Sequence, residues 1–142
     1  MSRMQNAECK MQSANGKSEP LRARTKSFAL RIIRMHVTLS MRRDETLRVL
    51  TRQCLRSGTS VGAQYREACR ARSTAEFLSK IECALQELDE TTYWLELIAE
   101  SGLAPAEQLS ALHDEARQLT AIFVASINTA KRQPRKVRNA KV

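Results

Sequence analysis

Glycine, proline and aromatic side chains are scarce here: four glycines, three prolines and six aromatics in 142 residues. With 42% hydrophobic residues and so few breaks, the composition suits one domain with a single core. An apolar run of about 18 residues is missing, so no membrane span is expected. The polar start, Met4-Gln5-Asn6-Ala7-Glu8, is unlike a signal peptide, and a cytoplasmic location is expected. No stretch alternates with strand period. The four cysteines, Cys9, Cys54, Cys69 and Cys83, form no C-x-x-C pair, and only His36 and His113 could supplement them as zinc ligands. Buried, reduced thiols are expected at the last three, with Cys9 on a tail. Neither histidine has a glutamate three residues before it, since those positions are Ile33 and Ser110, so the di-metal bundle motif is missing. Neither has a Cys, Ser or Asp partner that the sequence defines. No enzyme, metal or cofactor is expected.

What is abundant is positive charge, and its location matters more than its sum of +9. Residues 1–24 hold five basic and two acidic side chains, and residues 131–142 hold six basic and none acidic. The body between them is neutral but polarised. Residues 25–72 hold eleven basic and three acidic side chains, whereas residues 73–130 hold two basic and ten acidic.

Four amphipathic segments can be placed along the chain. Residues 1–24, with Asn15-Gly16 and Pro20, are expected to be a flexible basic arm. A first helix over 26–41 would use Phe28, Ile32, Ile33, Val37 and Leu39 as a broad apolar face. Asp44 is positioned to cap a second helix reaching about Ala71, with Leu47, Leu50, Cys54, Val61, Tyr65 and Ala68 on one stripe. On nearly the opposite side, Arg48, Arg52, Arg56, Arg66 and Arg70 form an arginine ridge. Ser73 and Glu76 have capping-box spacing and open a third helix through Phe77, Ile81, Ala84, Leu88 and Leu95 to Ile98. Ser101-Gly102 should end it, and Pro105 suits the first position of a fourth helix carrying Leu109, Leu112, Ala116, Leu119, Phe123 and Ile127. Short connections favour antiparallel neighbours, so the expected fold is an all-α, up-down-up-down four-helix bundle over 25–131, followed by a basic, disordered tail over 132–142.

Gly58 and Gly62 lie inside the second helix, where each should cost about 1 kcal/mol relative to alanine. No Gly-Lys-Ser/Thr follows and no strand precedes, so a phosphate loop is a poor account of them. Close approach of another helix, within the bundle or between subunits, accounts for them better. Lys80, Glu87, Glu90 and Trp94 follow at spacings of seven, three and four, a polar stripe suited to ion pairing at an interface. Tyr93 and Trp94 suit packing better than base stacking, because so few aromatics accompany them. The ridge could grip phosphates, remain solvated, or pair with the acidic second half, within a subunit or head to tail between subunits. The tail residues Lys131, Arg132, Arg135, Lys136, Arg138 and Lys141 could bind RNA or DNA non-specifically or merely solubilise the chain.

The run Arg56-Ser57-Gly58-Thr59-Ser60-Val61-Gly62-Ala63, with Glu67-Ala68, Phe77, Lys80, Ala84-Leu85, Glu87, Glu90, Tyr93-Trp94-Leu95 and the Ile127 to Lys131 ending, resembles proteins encoded in intervening sequences of 23S ribosomal RNA genes. The resemblance spans residues 26–131 and departs from the usual pattern at Gln64, where asparagine is commoner, and in both tails. It implies a four-helix bundle assembling into a ring, usually a homopentamer, without known catalytic activity. It also implies kinship with the accessory variability protein of diversity-generating retroelements, which binds a reverse transcriptase and its RNA. From the sequence alone, the most concrete expectation is an oligomeric, nucleic-acid-binding accessory subunit of that kind. The other is a structural or protein-interaction ring that binds no nucleic acid.

Overall fold

The structure, a computed structural model, describes residues 20–132. Four helices fill that span: α1 (Leu21–Ser40), α2 (Glu45–Cys69), α3 (Thr74–Glu100) and α4 (Ala106–Arg132). Among the described residues there is no strand. Residues 41–44, 70–73 and 101–105 connect them, too few to let consecutive helices lie anything but antiparallel. Cross-helix pairs confirm that direction. Ser57 meets Thr91 while Glu67 meets Lys80, and Glu96 meets His113 while Glu82 meets Lys131. The α2–α3 seam is the most extensive, and α1 and α4 meet along the least.

Local chemistry sets most of the boundaries. The Asp44 carboxylate accepts from the Leu47 amide at 2.8 Å, a side-chain N-cap for α2. Ser73 accepts from the Glu76 amide at 3.0 Å and starts α3. The reciprocal bond of a capping box is displaced by one residue, because Glu76 accepts from the Arg72 amide, not that of Ser73. Gly102, at φ +74°, turns the chain out of α3 in the left-handed region that glycine enters without a Cβ clash. Pro105 lies just ahead of α4, one residue earlier than the sequence suggested, with its carbonyl accepting from the Gln108 amide.

Two sequence expectations fail on α1. The helix starts at Leu21, so residues 21–24 belong to the bundle and not to an arm. Pro20 sits at its N-cap, and Leu21, Thr25, Phe28 and Ile32 bury one face at helical spacing. Ile33 and Val37 are not on that face. They are 39% and 50% exposed, turned away from the core, whereas Phe28, Ile32 and Leu39 are sealed. At the other end Arg132, assigned to the tail, closes α4.

The core stripes of α2, α3 and α4 fall where periodicity put them, except that Leu50 is only partly buried. Tyr65 and Phe123 stack across the bundle with centroids 6.0 Å apart, tying α2 to α4. Gly58 and Gly62 are buried against α1. A Cβ on Gly58 would lie 3.0 Å from Ile32 Cγ1, and one on Gly62 would lie 3.3 Å from Thr25 Oγ1. The close approach is therefore inside one subunit, and these glycines leave the candidate subunit-contact set.

Candidate interaction surfaces

The polar stripe of α3 is built into the α2–α3 seam. Arg56 reaches across from α2, hydrogen-bonding Glu90 and standing 3.9 Å from Glu87. Trp94 Nε1 donates to the same Glu90 oxygen at 3.2 Å, and the Tyr93 and Trp94 rings lie 5.4 Å apart. Lys80 pairs with Glu67 at 2.7 Å. The Arg56 hydrogen bond and charge hold the Glu90 carboxyl below the usual carboxylate range, against a smaller opposing effect of desolvation. Glu90 is thereby latched to α2, whereas Glu87 Oε2 is buried near Arg56 without a hydrogen-bond partner among the described residues. Beneath them the Ser57 and Thr91 hydroxyls meet at 2.8 Å, fully buried.

The arginine ridge is present, with Arg48, Arg52, Arg56 and Arg66 exposed along α2 and Arg70 exposed at its C-cap. Its members differ in company. Arg56 is committed to Glu90, and Arg48 has Glu45 at 4.0 Å on its own helix. Arg52, Arg66 and Arg70 have no carboxylate of the described residues within salt-bridge distance. The same is true of Arg31, Arg34, Arg42 and Arg43, so the acidic half of the chain neutralises little of the basic half inside one subunit. The exception at the α1–α4 seam is Arg24, held by Glu115 at 2.6 Å and Gln118 at 2.7 Å. Lys131 pairs with Glu82 at 3.4 Å, and Arg132 is exposed. Arg135, Lys136, Arg138 and Lys141, like Cys9, lie outside the described residues.

The outer face of α1 carries a feature that periodicity misassigned. Leu30, Ile33, Val37 and Met41 recur at spacings of three and four, 41%, 39%, 50% and 77% exposed. At about 100° per residue they share one stripe diametrically opposite Phe28, Ile32 and Leu39. Exposed Lys26 and Arg34 flank it. A helix apolar on both faces sits normally between two layers, and among the described residues only the inner face of α1 is covered, by α2 and α4.

Two troughs lie at the helix seams. One, of about 300 Å³ between α1 and α4, is lined by Arg31, Arg34, Met35 and Leu112 among others. The second, of about 500 Å³ between the end of α3 and the start of α4, has Leu95, Ala99 and Leu109 at its floor and Glu96, Glu100 and Asp114 around it. His113 lies in that trough with Nε2 3.0 Å from Glu96 Oε1, a pair seventeen residues apart that no motif announces. Among the described residues no three His, Cys, Asp or Glu side chains gather to hold a metal, and no helix is long and apolar enough to cross a membrane. Cys54, Cys69 and Cys83 form no disulfide, and burial pushes the Cys54 thiol up to about 12.

Comparison with known proteins follows the same lines. The model of the 23S rRNA-intervening sequence protein family matches residues 19–125. A crystal structure from Bacteroides thetaiotaomicron VPI-5482, of a protein with unknown function from the S23 ribosomal protein family, is similar at 35% identity and a TM-score of 0.70. The likeness covers 75% of this chain and 96% of that one. A search of curated proteins finds no match.

Proposed function

The chain belongs to the 23S rRNA-intervening sequence protein family, and from that membership and its surface we propose a non-enzymatic, self-assembling scaffold whose work is to bind other macromolecules. One observation carries the reading: the second apolar face of α1, Leu30, Ile33, Val37 and Met41, which none of the described residues covers. Exposing several large aliphatic side chains in one line costs solubility, and association removes that cost. By resemblance to the family the assembly is a ring of five. The Glu90 carboxylate, taken up by Arg56 and Trp94, supports a structural use of the polar stripe on α3.

Light scattering after size exclusion tests this directly. A mass several times the 16.1 kDa of the chain is expected, and a 16.1 kDa particle at micromolar concentration overturns it.

A second reading is favoured by Arg52, Arg66 and Arg70, three exposed guanidiniums on one helix face without a carboxylate among the described residues. In that reading the assembly is the accessory subunit of a reverse transcriptase and its template RNA, related to the accessory variability protein of diversity-generating retroelements. Its ridge and the basic residues up to Lys141 contact phosphates by counterion release. Multiple copies of the tail would act together. Retention of a structured RNA should fall steeply with salt, and truncation after Arg132 should remove most of it. An assembly that ignores RNA at low salt leaves the protein-interaction scaffold alone standing.

A further inference from the structure

The two halves of the surface are complementary in shape and charge, in a way that names the contact. The α1 stripe is a ridge about 16 Å long from Leu30 to Met41 at 1.5 Å per residue. Lys26 and Arg34 flank it, and Arg42 and Arg43 follow its last turn. The trough between α3 and α4 is concave, apolar at its floor through Leu95, Ala99 and Leu109, and bordered by Glu96, Glu100 and Asp114. Ala106, Ser110 and Ala111 line it too, and their short side chains leave the space a helix ridge would fill. One surface is convex, apolar and basic, and the other concave, apolar and acidic.

Resting on the proposal that the chain self-assembles, we infer that the outer face of α1 docks into the α3–α4 trough of a second copy. Aliphatic side chains of α1, Val37 central among them, enter the apolar floor, and Arg34 with Lys26 meets the Glu100 and Asp114 side. A stripe that met its own copy would instead bring the two copies of Arg34, near its centre, together, a like-charge contact that opposes association. The contact joins two different surfaces, so it is heterologous, and an open assembly keeps one free ridge at one end and one free trough at the other until it closes. This also gives the polarised charge a use, since few of the basic residues of the first half find carboxylates within the subunit.

Two variants of the full chain separate the outcomes. Val37→Asp spoils the ridge, and Ala111→Arg fills the trough; both positions are exposed, so helicity by circular dichroism should be unchanged. Each variant alone should lose assembly and run at the 16.1 kDa chain mass. Mixed in equal amounts, they should recover one intact contact, from the trough of V37D and the ridge of A111R, and stop at twice that mass. Variants that assemble like the parent overturn the surface assignment while leaving self-assembly intact. Loss of assembly with no recovery on mixing also overturns it, because the stripe then meets itself or some other surface. A parent chain that is monomeric overturns this inference together with the scaffold reading.

Discussion

The two hairpins, α1–α2 and α3–α4, bury their inner faces in the same way and present opposite outer ones. Inside, both offer helical stripes of Leu, Ile, Phe and Ala to one shared core. Outside, the first is basic and carries an apolar ridge, whereas the second is acidic and carries a trough. Burial constrains the inner faces through packing, and water constrains the outer ones hardly at all. The outer difference is therefore where a partner leaves its mark, and the inner likeness says only that both hairpins belong to one cooperative unit.

That unity can be broken at the stacked pair joining the hairpins. Phe123→Ala removes the ring that faces Tyr65 and should cost about 3–5 kcal/mol. Urea unfolding followed by circular dichroism should show one transition at a lower midpoint. Two resolved transitions would mean that the hairpins are independent, and the comparison would then be between two domains.

A smaller effect, confined to the first hairpin, is expected from Gly58→Val. Its Cβ would stand 3.0 Å from Ile32 Cγ1, where the neighbour has to give way. Overpacking of this kind costs about 1–3 kcal/mol, added to strain at the α1–α2 crossing. Hydrogen exchange should accelerate first in α1 and α2 while α3 and α4 keep their protection.

The smallest effect belongs to the latch between hairpins. Glu90 is held below its ordinary range by Arg56, so its contribution to stability is present above that range and disappears as pH falls through the lowered value. Arg56→Gln should therefore be less stable than the parent at pH 7, with the gap narrowing as pH falls through the lowered Glu90 value, read from urea midpoints along an acid series. A gap that persists in acid would assign the loss to the packing of the arginine stem and not to its charge.

Most of this inner architecture was legible in the sequence. Asp44, Ser73 and Gly102 mark real helix ends, and the glycine pair announced a close crossing that proved to be with α1. What failed has a physical cause in each case. The first turn of α1 was missed because Thr25, buried against Gly62, does not register as apolar. Ile33 and Val37 were assigned to the core because periodicity reports an apolar face without saying what covers it. The partners of Arg56 and Arg24 were unreadable because residues 34 and 91 positions away meet only once register and topology are set.

Cys54 gives the bundle a chemical clock. Its side chain is sealed, and with the thiol pushed up to about 12 only roughly one molecule in ten thousand carries a thiolate at pH 8. A thiol reagent must therefore wait for the helices to part. Cys69 and Cys83 are partly open to solvent and should be alkylated before it, so the slow modification of Cys54 would time how often α2 leaves its neighbours. If assembly closes over α1, that step should slow as protein concentration rises, linking a single buried sulfur to the state of the whole particle.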